Sequence, residues 1–115
     1  MVPAVVVSWR VDPRASNSYY CLSIVLEGKL EKKRDAFVAR LNETGIGTSV
    51  YYPQPVPRMT YYRSKYGYNA RCYPEAERIS ACSIALPVGP HLDGCDIDRI
   101  VESFKKIAED FNNEQ

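Results

Sequence analysis

The chain has 115 residues, 45% of them hydrophobic and 25% charged, with a formal net charge of +1. That composition describes one globular domain with a modest core and little room for a deep internal pocket. The near-neutral total lacks the basic excess of a protein built to hold nucleic acid, so no nucleic-acid partner is expected.

Cys21, Cys72, Cys82 and Cys95 contain no CxxC pair, and the one histidine, His91, lies four residues from Cys95, so no metal site is expected. A disulfide framework is open by count, but nothing else looks secreted. Val2 to Trp9 is apolar but too short to span a membrane, and no basic region precedes it. The reading is a cytoplasmic chain with reduced thiols and no membrane partner.

In chain order, Val5, Val6 and Val7 start a strand or a packed lead-in, and Pro13 with Ser16-Asn17-Ser18 signals a turn. Tyr19 to Glu27 reads as a strand with Tyr20, Leu22, Ile24 and Leu26 on one face. Leu30 to Thr44 reads as a helix with Leu30, Phe37, Val38 and Leu41 on one stripe, and Gly45 as its C′ residue. Ile46 to Tyr52 is the next expected strand, stopped by Pro53, Pro55 and Pro57, which cannot donate to a ladder. Met59 to Tyr66 is an expected short helix.

Pro74 suits a helix first turn, with Glu75 and Glu77 at the positive end of the dipole, and that helix is expected to reach Ala81. Ser83 to Pro87 is a third short strand. Asp93 caps the last helix, whose expected apolar face is Ile97, Ile100, Val101, Phe104, Ile107, Ala108 and Phe111. The order β-α-β-(α)-α-β-α implies an α+β fold. The expected architecture is a two-layer α/β sandwich, with a small mixed or antiparallel sheet of about three to four strands covered by helices.

No P-loop, GxGxxG or GxSxG is present. A Ser-His-Asp triad would have to use His91, which sits in GPHLDG, a turn before a helix; a surface or cap-adjacent histidine is the simpler reading. No catalytic residue is expected. What stands out is residues 51–73. They hold seven of the nine tyrosines, and between Glu43 and Glu75 there is no acidic residue, whereas Arg58, Arg63, Lys65 and Arg71 are basic. Tyrosine stacks and hydrogen-bonds, arginine forks onto phosphate, and proline lowers the entropy lost on ordering a loop. A binding rim for an anionic, hydroxyl-rich ligand is one reading. An amphipathic segment plugging a core or a partner surface is another, and single-stranded nucleic acid stacking is a weaker third.

RDAFVARLNETGIGTSVYYPQPVPRMTYY, followed by PEAERISACSIALPVGPHLDGCDIDRIVESF, resembles the C-terminal part of the DegT–StrS family of sugar aminotransferases. The matching positions are Arg34-Asp35, Leu41, Gly45-Ile46, Thr48, Tyr52-Pro53, Pro55, Tyr62, Pro74, Ala76-Glu77-Arg78, Leu86-Pro87, Pro90, Leu92 and Asp96. Tyr51 and Pro57 stand where many members have histidine, and Met59 where glutamine is usual.

The resemblance implies the pyridoxal-phosphate (PLP)-dependent superfamily of fold type I. It implies that the Schiff-base lysine and most phosphate contacts belong to a large N-terminal domain of a longer parent. Residues 1–115 would be that parent's small C-terminal domain, with 1–17 a lead-in from the large domain. The parent would be a homodimer transferring an amino group from an amino-acid donor to a nucleotide-linked keto-sugar, although some family relatives are dehydratases. This chain alone would bind no PLP. Carried over residue by residue, the substrate-side positions are Tyr51, Tyr52, Pro53 and Tyr62, with Arg58 added from the basic patch. The alternative is a free-standing interaction module that uses loop 51–73 to bind a protein or an anionic ligand.

Overall fold

The computed structural model describes residues 5–7 (as backbone), 12–69 and 72–114. Three antiparallel strands, β1 (Val5–Val7), β2 (Leu22–Leu26) and β3 (Ser83–Leu86), lie in the order β1-β2-β3. Val6 pairs with Val25 on one side of β2, and Ile24 pairs with Ile84 on the other. β1 therefore takes part in this sheet from within the stretch expected as a lead-in. Ile24 and Leu26 are buried and Ser23 is exposed, the alternation of a sheet covered on one face.

The strand expected from Tyr19 starts instead at Leu22, and Tyr20 is 81% exposed rather than facing the core. The cause is local. The Asn17 side chain accepts a hydrogen bond from the Tyr19 amide at 2.8 Å, and Tyr19 takes φ 50°. A residue in that left-handed conformation cannot continue a ladder.

Helix α1 (Arg34–Glu43) is preceded by a 3-10 turn, Gly28–Lys33, so the single helix expected from Leu30 is a turn and a helix in series. Leu30, Phe37 and Leu41 are all fully buried. The helix ends as its glycine predicts: Gly45 has φ 81°, its amide bonds the Asn42 carbonyl at 2.9 Å, and the Ile46 amide bonds Leu41 at 3.0 Å. This is the Schellman pattern, completed by burial of Ile46.

The expected strand Ile46–Tyr52 does not form. One residue of it, Ser49, bridges Ala85 through two hydrogen bonds of 3.0 and 2.7 Å. Gly47 weakens extended pairing, and prolines 53, 55 and 57 supply no donors beyond it, so the ladder stops after one step.

The remaining helices are α2 (Thr60–Tyr66), α3 (Pro74–Cys82) and α4 (Gly94–Asn113). α4 begins with a reciprocal capping box: Asp93 accepts from the Asp96 amide at 3.0 Å, and the Asp96 carboxylate accepts from the Asp93 amide at 3.1 Å. Phe104, Ile107, Ala108 and Phe111 are buried, and Ile100 packs at the edge. Ile97 and Val101, expected on the same buried face, are 46% and 42% exposed. The first turns of α4 overhang the core, and no element of the described chain covers them on that side.

Arginines join these pieces at carbonyls that helix ends leave unpaired. Arg34 at the start of α1 donates to the Ser80 carbonyl in the last turn of α3 at 2.8 Å, and Arg99 of α4 donates to the Thr44 carbonyl at 2.7 Å. Each cation also faces the negative end of a helix dipole.

Phe37 lies 4.6 Å from Phe104 and 5.8 Å from Phe111 between ring centroids, so Phe37→Ala should cost about 3–5 kcal/mol. α2 buries no side chain, so Tyr61→Ala should cost no more than about 1 kcal/mol. Urea unfolding of the two variants measures the difference. Burial, reinforced by the nearby Glu31 carboxylate, pushes the Cys82 thiol up and suppresses its thiolate. Maleimide at neutral pH should therefore modify the exposed Cys72 and Cys95 well before Cys82, as read by peptide mass spectrometry.

Candidate functional site

The chain leaves the Ser49–Ala85 bridge heading away from the core, and the five expected ligand-facing residues follow it. They do not gather at one point. Tyr51 and Tyr52 are 51% and 68% exposed, with ring centroids 6.2 Å apart. Pro53 is exposed beside them, while Pro55 is buried and anchors the loop. Tyr51 forms one rim of an open groove of about 550 Å³, and Tyr20 and Val88 line it with Tyr51. Its floor comes from Gly47–Ser49 and from Ala85–Pro87 of β3 and the turn after it.

Tyr62 belongs to a different feature. The rings of Tyr61, Tyr62, Tyr66, Tyr68 and Tyr73 form an unbroken ladder, with successive centroids 5.1, 6.3, 5.6 and 5.7 Å apart. Lys65 sits over Tyr61 and Tyr66 at 5.4 and 5.3 Å and donates to the Tyr61 hydroxyl at 3.1 Å. The ladder rests on α2, whose side chains all lie outside the core. Its phenols are a surface, and the plugged-core reading of the tyrosines is set aside.

Arg58 is held by Glu77 of α3 at 2.9 Å, which neutralises part of the patch that the linear sequence reads as free cation. The guanidinium has five N–H donors, so this pairing orients the group and leaves others to donate. Arg71 lies outside the described residues. Arg63 is exposed.

Reading the sequence alone misses Tyr20, Thr48 and Ser49 as groove residues. The Ser16-Asn17-Ser18 turn was the available signal for Tyr20, because it ends the strand before that residue. Thr48 and Ser49 carry no such signal; the distant pairing with Ala85 places them.

The lysines answer whether this chain can hold PLP covalently. Such a lysine needs a desolvated pocket to keep its amine neutral. Lys29, Lys32, Lys65, Lys105 and Lys106 are exposed, and Lys33 is half-buried with its ammonium 5.4 Å over the Phe111 ring. No lysine here fits that chemistry. Among the described residues, no three His, Cys, Asp or Glu side chains cluster as a metal site, and no helix is long and apolar enough to cross a membrane. His91 is exposed and packs across Gly89, where a Cβ would come within 2.6 Å of its ring.

Two hollows flank the groove. The larger, about 400 Å³, is lined by Tyr19, Leu22, Val88, Leu92 and Ile97 together with Pro87 to Pro90. With Val101 it makes a bare apolar face next to the groove.

Comparison with known proteins agrees with this anatomy. The chain is 40% identical over 77 residues to a pleiotropic regulatory protein of Geobacillus stearothermophilus, covering 67% of this chain and 20% of that protein. It is 30% identical over 78 residues to dTDP-3-amino-3,4,6-trideoxy-alpha-D-glucose transaminase of Streptomyces venezuelae, covering 68% of this chain and 20% of the transaminase. Among solved structures, the PLP form of a sugar aminotransferase from Streptococcus pneumoniae superposes with a TM-score of 0.82 at 25% identity, over 94% of this chain and 27% of that one. The chain thus spans about a fifth of the curated relatives it matches. Residues 3–105 match a single family description, and the chain belongs to the DegT/DnrJ/EryC1/StrS aminotransferase family.

Proposed function

We infer that this chain acts as the small C-terminal domain of a longer PLP-dependent aminotransferase whose substrate is a nucleotide-linked keto-sugar. One observation carries the reading. The chain corresponds to about a quarter of a solved sugar aminotransferase, and that quarter contains no lysine suited to the cofactor here.

PLP, bound by the rest of the parent, supplies the electron sink for amino transfer. The residues of this chain bind, orient and shield. Tyr51 and Tyr52 offer ring faces to the apolar side of a sugar and hydroxyls to its oxygens. Pro53 stiffens the rim, so less entropy is lost when it closes on substrate. Arg58, steadied by Glu77, and Tyr62 on the ladder lie outside the groove and receive the anionic end. Closing this rim on the large domain removes water from the reacting centre.

The bare face of Tyr19, Val88, Ile97 and Val101 is the surface for the large domain of the same polypeptide, and the parent works as a cytoplasmic homodimer. The exposed ladder fits the same account, since an aromatic strip with no core beneath it is a contact surface.

The test is expression of this chain together with the coding sequence preceding it. The expected result is amination of a nucleotide-linked keto-sugar from one of a panel of amino-acid donors. Tyr51→Ala with Tyr52→Ala should raise KM roughly tenfold, a loss of about 1.4 kcal/mol. The chain alone should show no turnover and no lysine-bound chromophore with PLP. Turnover by the 115-residue chain, or a parent that aminates no sugar, overturns the reading.

A further inference from the structure

Arg99 leaves the first turns of α4, the turns that also carry the bare Ile97 and Val101, and its Nη2 donates to the Thr44 carbonyl at 2.7 Å. Thr44 is the residue before the Gly45 turn. Its amide and its hydroxyl are already bonded within α1, to the Arg40 and Leu41 carbonyls, so its carbonyl is the group left to meet an outside donor. The guanidinium also lies close against Gly45, where an added Cβ would come 3.1 Å from Nη2. Arg99 lines the smaller hollow, about 110 Å³, which shares Gly47 and Pro87 with the groove. Phe37 and Arg40 join α1 to the later turns of α4, at Phe104, Asp110 and Phe111. Among the described residues, the Arg99–Thr44 bond is the one hydrogen bond that ties residues 94–101 to the end of α1.

In the longer parent the reacting centre belongs to the large domain. A substrate wall carried on this domain then works only in register with the face that docks there. Ile97 and Val101 belong to that face, and the wall is the segment that runs from the Gly45 turn through Ser49 to Tyr51. We propose that Arg99 is the positioning residue that keeps the two in register. It fixes the end of α1, and with it residues 47–51, to the turns of α4 that meet the large domain. It acts through Thr44 and touches no substrate. A cationic donor suits the task, because the negative end of the α1 dipole strengthens its hold on the carbonyl. One bond to one carbonyl needs a positive donor of the right reach and no forked geometry, so a lysine can replace the arginine here. The assignment deepens the aminotransferase reading above and rests on it for the identity of the docking partner.

The test compares Arg99→Met with Arg99→Lys, both in the parent enzyme and in the 115-residue chain. Arg34→Met is the control, because Arg34 makes the same kind of bond, 2.8 Å to the Ser80 carbonyl, at the opposite end of α1. Arg99 is exposed, so its substitution leaves the buried cluster in place. In the parent, Arg99→Met should raise KM for the keto-sugar roughly tenfold while kcat stays within about twofold, and Arg99→Lys should recover most of that loss. Arg34→Met should leave KM unmoved. In the chain alone, amide NMR of Arg99→Met should show shifts at Gly45, Thr48, Ser49 and Tyr51, with Val25 and Leu26 of β2 still. An unchanged KM in Arg99→Met overturns the assignment. So does a failure of Arg99→Lys to recover it, or an equal rise in Arg34→Met, which marks general loosening. If the parent aminates no sugar, the enzymatic reading falls by itself. The chain's amide shifts then decide the role of Arg99, and unmoved Ser49 and Tyr51 overturn it.

Discussion

Phe37, wedged between Phe104 and Phe111, is the contact on which the rest of the chain's geometry depends. It locks α1 against α4, and Arg40 repeats the lock at the surface by lying over Phe111 while it pairs with Asp110. Once α1 is fixed, its C-terminus is fixed. The Schellman turn at Gly45 then aims Ile46 into the core and delivers Ser49 to Ala85. Loop 51–58 is launched from that bridge, so aromatic packing far from the groove decides where Tyr51 stands.

This arrangement separates stability from recognition. The buried cluster is built from β2, β3, the 3-10 turn, α1, Ile46 just past it, α4 and Cys82 of α3, and neither α2 nor residues 51–59 contribute to it. Side chains at the rim are therefore free to vary in chemistry without loosening the core. Rigid elements support a site carried on loops, which is how many enzymes vary specificity on a constant scaffold. Tyr51, Pro57 and Met59, which depart from the family pattern, all lie in this independent stretch.

The arginines of the family-like motifs gain physical roles from the structure. Arg34, half of the Arg-Asp pair, ties the start of α1 to the last turn of α3. Arg78 bonds Glu75 within α3 and approaches Glu27 at the end of β2. Their bonds run from helix ends to neighbouring elements. Arg58, from the basic patch rather than the motifs, is in turn held by Glu77 of the Ala-Glu-Arg stretch.

What could be read from the amino-acid order alone is what short-range physics decides. The Asp93 cap, the Gly45 stop, the buried alternation of β2 and the start of α3 at Pro74 all depend on residues within a few positions of each other, and the family motifs are read directly from residue order along the chain. What needed the tertiary structure depends on distant chain being present or absent. That Ser49 is the one residue of Ile46–Tyr52 to pair is set by where Ala85 of β3 stands. Ile97 and Val101 stay outside because the described chain has nothing to lay over them. Arg58 is paired because Glu77, nineteen residues on, folds back to meet it. The groove exists only because Tyr20 and Tyr51, thirty-one positions apart in sequence, are brought to line it together by a core to which neither belongs.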